Sequence, residues 1–385
     1  MAGVRFFQTT PRIVMGPGSL DSSADEVKRL GGTNVTIVTD PGLVSTGIVE
    51  RVEKLLSRGG LSTTRFDAVE PDPGYEIAAK AADQIRAARA DLVVGIGGGS
   101  PLDIAKVAAA LATNTEPVES FFGIDMIPKP GIPTILIPTT AGTGSEVTPI
   151  AILSDYQEKL KKGIVSPHLF PRTALLDAEL TLGLPAAVTA ATGMDALIHA
   201  VEAYTSRNAT GITDMLAIEA MDLLASNIRT AYANGADLSA RTAMLEGSLL
   251  AGMAFANAGV TAVHAFAYPI GAEFHIPHGL ANSIMLAPVM EFNMLGDLEK
   301  FADIANVMGE DTEGMSLRDA AMCAVDSLST LAEDLRLSSR LSDFGVAEEH
   351  IPELAKGVMK VTRLLANNPR ELTLSDAEAI YRSVL

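Results

Sequence analysis

The sequence predicts an α/β domain built on a parallel sheet in residues 1–180, followed by an all-α domain in residues 181–385. In the first part, short β-branched runs alternate with alanine-rich helical stretches, which is typical of a parallel sheet covered by helices on both faces. After Leu184-Pro185 the β-branched runs become rare, and long amphipathic helical patterns replace them. A length of 385 residues exceeds that of one typical domain, which also favours two domains.

Individual elements follow from the same patterns. Clusters of β-branched residues predict buried strands at Val35–Thr39, Leu92–Ile96 and Thr134–Ile137. Helical periodicity predicts helices at Tyr75–Arg89 in the first domain and at Thr213–Tyr232 and Asp297–Met308 in the second.

The composition excludes several classes of protein. With 48% hydrophobic and 20% charged residues, the chain resembles a globular protein rather than a disordered one. A net charge of −18 argues against a nucleic-acid or anionic-membrane partner. The single cysteine, Cys323, allows neither an internal disulfide nor a cysteine-based zinc cluster. The first residues lack the apolar core of a signal peptide, so we expect a cytoplasmic protein.

Residues 247–272 contain no Lys, Arg, Asp or Glu and are long enough to span a bilayer. However, they include Asn257, Thr261, His264 and Pro269, and alanine is their commonest apolar residue. We therefore expect a buried core helix, which must carry His264 into the protein interior.

Two loops that follow predicted strands have the composition of an anion-binding site. After Leu92–Ile96 comes Gly97-Gly98-Gly99-Ser100, with a helix expected to begin near Leu102. Glycines allow close backbone approach to a phosphate, and the helix N-terminus offers free N–H groups. The loop at 138–146 (PTTAGTGSE) contains four hydroxyl side chains and two glycines. Either loop could also be purely structural, but together they favour binding of phosphate or ribose.

Asp40 comes directly after the predicted strand Val35–Thr39. A carboxylate at the end of such a strand can bind ribose hydroxyls and repels a 2′-phosphate, which favours NAD over NADP. Thr39-Asp40-Pro41-Gly42 is also an ordinary turn sequence, so this signal is weak by itself.

Four residues of the second domain are candidate metal ligands. Asp195 and His199 are four residues apart in a helical pattern, so both project from one face of the helix. His264 and His278 complete a set of three imidazoles and one carboxylate, which suits a divalent transition metal. The spacing alone leaves open a salt-bridged pair on the helix and histidines in turns.

Four motifs together resemble the iron-containing (group III) alcohol dehydrogenase family: GGGSPLDIAK (97–106), PTTAGTGSE (138–146), TGMDALIHAVEAY (192–204) and HAFAYPIGAEFHIPHG (264–279). The resemblance continues to Asn368-Pro369-Arg370 and so covers essentially the whole chain. It implies a dehydroquinate-synthase-like fold with an N-terminal NAD-binding domain and a C-terminal helical metal-binding domain. It also implies reversible oxidation of a small primary alcohol to its aldehyde with NAD, Fe²⁺ or Zn²⁺ as the metal, and a homodimer or larger homo-oligomer.

The resemblance also implies roles for individual residues. The implied metal ligands are Asp195, His199, His264 and His278. The implied NAD contacts are Asp40, Gly98, Gly99, Ser100, Asp103, Thr139, Thr140, Thr143, Ser145, Thr148, Lys161 and Leu180. The candidate catalytic residues are Tyr268 and His275.

Two positions depart from the family pattern. Tyr268 stands where a histidine is common, and Asp72 stands where an asparagine is common. A tyrosine hydroxyl can relay a proton, but its ordinary pKa of about 10 puts a histidine-like proton shuttle in doubt. The tyrosine also slightly favours a hydroxy acid as the substrate.

Several alternative functions remain open. A hydroxy-acid dehydrogenase and a metal-free reductase of the same family would share these motifs. A same-fold synthase or sugar-phosphate enzyme would need additional basic residues for its anionic substrate. A non-enzymatic filament or scaffold subunit would be expected to have lost the four candidate ligands, all of which are present.

Overall fold

The computed structural model describes residues 4–156 and 160–385, which divide into two compact units. The first unit comprises Gln8–Gly183 and contains the strands of the described residues. The second comprises Leu184–Leu385 together with the residues up to Phe7, and its regular elements are helices. The expected fold class, a parallel α/β domain plus an all-α domain, is confirmed.

The first unit contains two sheets. Their strands are β1 (Ile13–Met15), β2 (Asn34–Val38), β3 (Ser62–Phe66), β4 (Leu92–Gly97), β5 (Gly123–Ile124), β6 (Thr134–Pro138), β7 (Ile150–Asp155), β8 (Leu160–Val165) and β9 (Thr173–Leu176). Six of them form a parallel sheet in the order β1-β9-β6-β4-β2-β3. The other three form a small sheet in which β8 pairs in parallel with β5 and antiparallel with β7.

The order of the large sheet determines which loops are neighbours. Strand β4 lies between β2 and β6, with Val93 paired to both Thr36 and Thr134. Because parallel strands end at the same edge of a sheet, the segments that follow these three strands lie side by side. They contain Asp40, the glycine loop (Gly97–Ser100) and the hydroxyl-rich loop (residues 138–146).

Helices cover both faces of this sheet. They are α1 (Ser23–Arg29), α2 (Pro41–Val44), α3 (Ile48–Arg58), α4 (Tyr75–Ala88) and α5 (Gly99–Leu111). Val93 and Leu136 pack in one buried cluster with Leu102 of α5. Val94 and Ile135 point to the other face, into a second cluster. Alternate residues of one strand are therefore buried on opposite faces, as near-continuous apolar strands require.

The predicted strands are confirmed with differences of one residue at their ends. The helix expected to begin near Leu102 begins earlier, at Gly99, with Gly98 as its N-cap. Pro101 lies within the first turn of this helix, where its missing N–H breaks no intrahelical hydrogen bond. The glycine loop therefore leads into the helix without a spacer.

The second unit is built around a 20-residue helix, α6. Its helices are α6 (Ala186–Thr205), α7 (Gly211–Ala233), α8 (Leu238–Ala258), α9 (Ala262–Phe274), α10 (His278–Asn293), α11 (Leu298–Val307), α12 (Leu317–Asp334), α13 (Ile351–Lys360), α14 (Thr362–Leu365) and α15 (Leu374–Ser383). Helix α6 packs against α7, α8 and α10, and its residues from Gly193 to Thr205 are all buried.

The uncharged segment 247–272 is not the single helix that we expected. Helix α8 ends at Ala258, α9 begins at Ala262, and the two helices are bent by 101°. Gly259 has φ +80°, and a Cβ there would collide with the Asn367 side chain. No single helix among the described residues is long and apolar enough to cross a membrane. The bent pair α8 and α9 reaches the required length and apolar composition only when the two helices are counted together. His264 is buried, as predicted.

A buried lysine joins α5 to the hydroxyl-rich loop. The Lys106 ammonium donates to the backbone carbonyls of Ser145 and Ile150, and its Nζ lies 3.2 Å from Asp103 Oδ1. Glu146 is 1% exposed, and its Oε1 has no hydrogen-bond partner among the described residues. Burial raises the pKa of Glu146 to about 7, although the charge of Lys106 opposes the shift.

This raised pKa predicts a pH-dependent stability. The folded protein holds the Glu146 proton up to a pH of about 7, whereas the unfolded chain releases it near the ordinary value of 4.5. Stability is therefore lost as the pH rises between these values, by up to about 1.4 kcal/mol per pH unit and about 3 kcal/mol in total. The neutral Glu146→Gln variant should thus gain stability relative to the wild type between pH 5 and pH 8.

Urea unfolding at the two pH values measures this difference. Glu76→Gln, at an exposed position, is the matched control: it keeps Glu146 and should lose stability with rising pH as the wild type does. Equal pH dependence in Glu146→Gln and the wild type would contradict the raised pKa of the buried Glu146 carboxyl group.

Candidate active site

Three of the four candidate metal ligands lie together in the interior of the second unit. Asp195 and His199 project from one face of α6, and His264 comes from the first turn of α9. Each offers a ligand atom within 4.8 Å of the other two, and the Nε2 atoms of His199 and His264 are 3.0 Å apart. Residues about 65 positions apart in the chain are thus brought together by packing.

His278, the first residue of α10, completes the group. Its Nε2 lies 3.8 Å from Asp195 Oδ1, and its ring centroid is 5.3 Å from that of His264. The His278 side chain is 32% exposed, whereas the Asp195 and His264 side chains are almost fully buried. Access to the group is therefore on the His278 side.

The arrangement fits a divalent transition metal. Three imidazoles and one carboxylate, drawn from three helices, direct their donor atoms at one another. Zn²⁺ and Fe²⁺ are commonly bound by such nitrogen and oxygen donors. An isolated Asp–His pair on one helix face would not require a third and a fourth donor from other helices. The geometry therefore favours the metal interpretation over the salt-bridged pair.

The electrostatics of the group agree with this interpretation. Burial by itself would raise the pKa of Asp195, but His199, His278 and His264 hold it below the usual range. Burial lowers the pKa of His264, yet attraction to the buried carboxylate of Glu202 raises it above its ordinary value. A bound cation would replace the imidazole protons as the positive charge facing these carboxylates.

Glu202 was not predicted from the sequence. This residue is fully buried on α6 and accepts a hydrogen bond from His264 Nδ1. Its other oxygen accepts from the backbone N–H groups of Thr261 and Val263 and from the Thr261 hydroxyl. Its spacing, three residues after His199 and seven after Asp195, places it on the same helix face and could have revealed it.

Asn282 was also missed. Its Nδ2 lies 2.7 Å from Asp195 Oδ1 and 3.2 Å from the Nε2 atoms of both His264 and His278. Asn282 is fully buried and stands one helical turn after His278 in α10. Its amide therefore orients the Asp195 carboxylate, and the i, i+4 spacing from His278 was the available signal.

The two candidate catalytic residues lie in different surroundings. Tyr268 is partly buried one turn after His264, with its ring centroid 6.2 Å from that of His278. His275 is exposed at the end of α9, where it has φ +55°. The structure thus brings Tyr268 close to the candidate ligands, while a catalytic role for either residue stays a prediction.

The two loops of the first unit meet as the sheet order requires. The Thr139 backbone N–H donates to the Gly97 carbonyl oxygen. A Cβ at Gly98 would lie 3.6 Å from Thr140 Oγ1, and one at Gly99 would lie 2.8 Å from Thr143 Cγ2. The hydroxyl-rich loop thus packs directly on the N-terminus of α5, and only glycine fits at position 99 without movement.

Asp40 faces this same point. Its Oδ1 accepts from the Leu43 N–H and caps α2, which is the turn role that its sequence context allowed. Its Oδ2 lies 3.2 Å from the position that a Cβ on Gly97 would occupy. One carboxylate oxygen is therefore beside the glycine loop while the other holds the turn.

Other predicted NAD contacts are engaged within the protein. The Ser145 hydroxyl donates to Asp103, whose second oxygen accepts from the Ile152 N–H, and Thr148 is buried beside Lys106. Leu180 is buried in the core. The Lys161 ammonium lies 2.6 Å from Asp72, one of the two positions that depart from the family pattern. Direct contact of these residues with NAD stays a prediction.

The fold and the site are those of an enzyme that uses a nucleotide cofactor and a metal. An α/β unit with a glycine loop is followed in the chain by a helical unit that contains a buried group of candidate metal ligands. Comparison with known proteins identifies the family. A family model described as iron-containing alcohol dehydrogenase matches residues 10–178, and one for the C-terminal part of the same family matches residues 189–385. The chain belongs to the iron-containing alcohol dehydrogenase family.

Curated relatives and solved structures agree. The chain is 43% identical to a sulfoacetaldehyde reductase of Bilophila wadsworthia over 94% of each chain. It is 42% identical to long-chain-alcohol dehydrogenase 1 of Geobacillus thermodenitrificans, over 96% of this chain and 94% of the relative. A crystal structure of a 1,3-propanediol oxidoreductase superposes over 100% of both chains with a TM-score of 0.97 and 38% identity.

These findings confirm the predicted family and class of reaction. The protein is an oxidoreductase of the alcohol dehydrogenase type, with NAD as the cofactor and a metal-binding group in its helical unit. Other relatives are described as NAD-dependent or were solved with NAD⁺ bound.

Proposed function

We propose that this enzyme transfers a hydride reversibly between NAD(H) and a small primary alcohol or its aldehyde. The observation that carries the proposal is the convergence of Asp195, His199, His264 and His278, with one partly exposed side, in a chain of this family. The names of the relatives include both alcohol dehydrogenases and aldehyde reductases, which is consistent with a reversible reaction.

The four side chains have one shared task in this proposal, which is to hold the metal. When bound there, a divalent metal ion supplies the Lewis acidity that lowers the pKa of an alcohol and polarises an aldehyde carbonyl. Asn282 orients Asp195 by donating to its Oδ1, and buried apolar residues such as Phe255, stacked on His199, exclude water from the inner side. The substrate enters beside His278 and Tyr268.

NAD belongs to the first unit in this proposal, with the domain boundary near residue 180. The N–H groups at the start of α5, from Gly98 to Ser100, bind the pyrophosphate, and Thr139, Thr140 and Thr143 add hydroxyl donors. Asp103, Ser145 and Thr148 support the hydroxyl-rich loop from inside the protein. Lys161 and Leu180 contact other parts of the cofactor. We also propose a cytoplasmic homodimer or larger homo-oligomer, as the family resemblance implies.

A substrate screen tests the function. Protein purified without oxygen and loaded with Fe²⁺ should reduce NAD⁺ with some of the C2–C6 primary alcohols, and a hydroxy-acid series tests the alternative substrate class. His264→Ala should lose turnover and metal content but keep its NAD affinity, because His264 and the glycine loop belong to different units. Full metal content and unchanged turnover in His264→Ala would contradict the ligand assignment.

The choice of cofactor depends on Asp40 in this proposal. Removing its charge should relieve repulsion of the 2′-phosphate, so Asp40→Gly should raise the NADP-to-NAD ratio of kcat/KM by about 10- to 100-fold. Asp40→Asn is the matched control, because an asparagine still caps α2 while lacking the charge. A ratio that does not move in either variant would leave Asp40 with the turn role alone.

Substitution of Tyr268 tests whether its hydroxyl carries the substrate proton. We expect packing and substrate shaping, so Tyr268→Phe should reduce activity only a few-fold, mainly through KM. A loss of kcat of about 100-fold or more would instead assign a proton relay to its hydroxyl. Tyr268→His is the comparison variant, and an unchanged pH–rate profile in it would confirm that this position carries no proton.

A further inference from the structure

Glu202 lies behind the candidate metal ligands and is not one of them. Asp195, His199 and Glu202 occupy positions i, i+4 and i+7 of α6, and all three face α9. The Glu202 side chain is 0% exposed, and each of its two oxygens is engaged with the segment that carries His264.

We propose that Glu202 is the positioning residue that makes His264 a metal ligand, by holding both its imidazole and the first turn of α9. The inference rests on the proposed metal site and names the residue that builds one of its four donors. Glu202 itself contacts neither the substrate nor NAD in this proposal.

Glu202 determines which nitrogen of the His264 imidazole carries hydrogen. A carboxylate can only accept at His264 Nδ1, so the ring carries its hydrogen on that nitrogen. The lone pair of a neutral imidazole is then on Nε2, which lies 3.0 Å from His199 Nε2. A carboxylate behind a histidine in this way sets both the tautomer and the orientation of a metal-binding ring.

Glu202 also holds the backbone at the start of α9. The N–H groups at the start of a helix have no partner within the helix. Glu202 Oε1 accepts from the Thr261 N–H at 3.0 Å, the Val263 N–H at 2.8 Å and the Thr261 hydroxyl at 2.7 Å. Because the chain turns by 101° just before this point, these bonds determine where α9 begins and therefore where His264 lies.

A purely structural cap and a positioning residue predict different behaviour in Glu202→Gln. The glutamine oxygen can still accept the three bonds at the start of α9. Its amide NH₂ would then face His264 Nδ1 as a donor, which favours the tautomer with hydrogen on Nε2 and blocks that nitrogen from binding a metal. Thr261→Val is the matched control, because it removes one bond of the cap and leaves the bond to the imidazole.

The experiment measures Zn²⁺ affinity of the full chain by competition with a chromophoric chelator, without any assay of turnover. We expect Glu202→Gln to weaken Zn²⁺ binding by about 10- to 100-fold, whereas Thr261→Val should lower thermal stability and leave Zn²⁺ affinity within about three-fold of the wild type. Equal affinities of Glu202→Gln and the wild type, or an equal loss in Thr261→Val, would overturn the proposal.

A second measurement does not depend on a folded Glu202 variant. Histidine ¹⁵N NMR of the metal-free wild type should show hydrogen on His264 Nδ1, with the resonance assigned by its disappearance in His264→Ala. Hydrogen on Nε2 instead would overturn the proposal. If the Zn²⁺ affinities and the NMR result are as expected but no alcohol or aldehyde is turned over, the proposed function fails and the inference about Glu202 stands. If the enzyme turns over an alcohol but Glu202→Gln binds Zn²⁺ like the wild type and His264 carries hydrogen on Nε2, the proposed function stands and the inference fails.

Discussion

The hydrogen bonds between the Glu202 carboxylate and the start of α9 are the interaction on which the position of His264 depends. They satisfy N–H groups that the break between α8 and α9 leaves without helical partners. A straight helix through residues 247–272 would carry His264 in a different direction, away from Asp195 and His199. One buried charge thus connects the path of the backbone to the position of a metal donor.

In the α/β unit, the order of the strands brings the candidate NAD-binding segments together. With β4 between β2 and β6, the sheet itself makes neighbours of the Gly97–Ser100 loop, the loop at 138–146 and Asp40. Lys106 and Asp103 then join α5 to the second loop from inside the protein. These contacts hold the second loop against α5, whose N-terminal N–H groups are of the kind that binds an anion.

Much of this could be predicted from the sequence, because apolar periodicity and glycine loops act locally. Three of the nine described strands (β2, β4 and β6) and the order of the two domains followed from pattern, and spacing pointed to the four candidate ligands without excluding a salt-bridged pair. The break at Gly259–Thr261 did not, since it depends on a carboxylate about 60 residues earlier in the chain. Asn282 and Glu202 were missed for a related reason: Asn282 bonds Asp195 of α6, Glu202 bonds the start of α9, and burial of a polar side chain is not visible in periodicity.

The close packing at Gly99 has a consequence for the history of the family. Any side chain at position 99 would press on Thr143, and the two positions belong to different loops. Position 143 can become smaller while Gly99 is kept, but a larger residue at 99 requires the Thr143 side chain to move or to become smaller. Among related sequences, a residue other than glycine at position 99 should therefore occur together with a residue smaller than threonine at position 143.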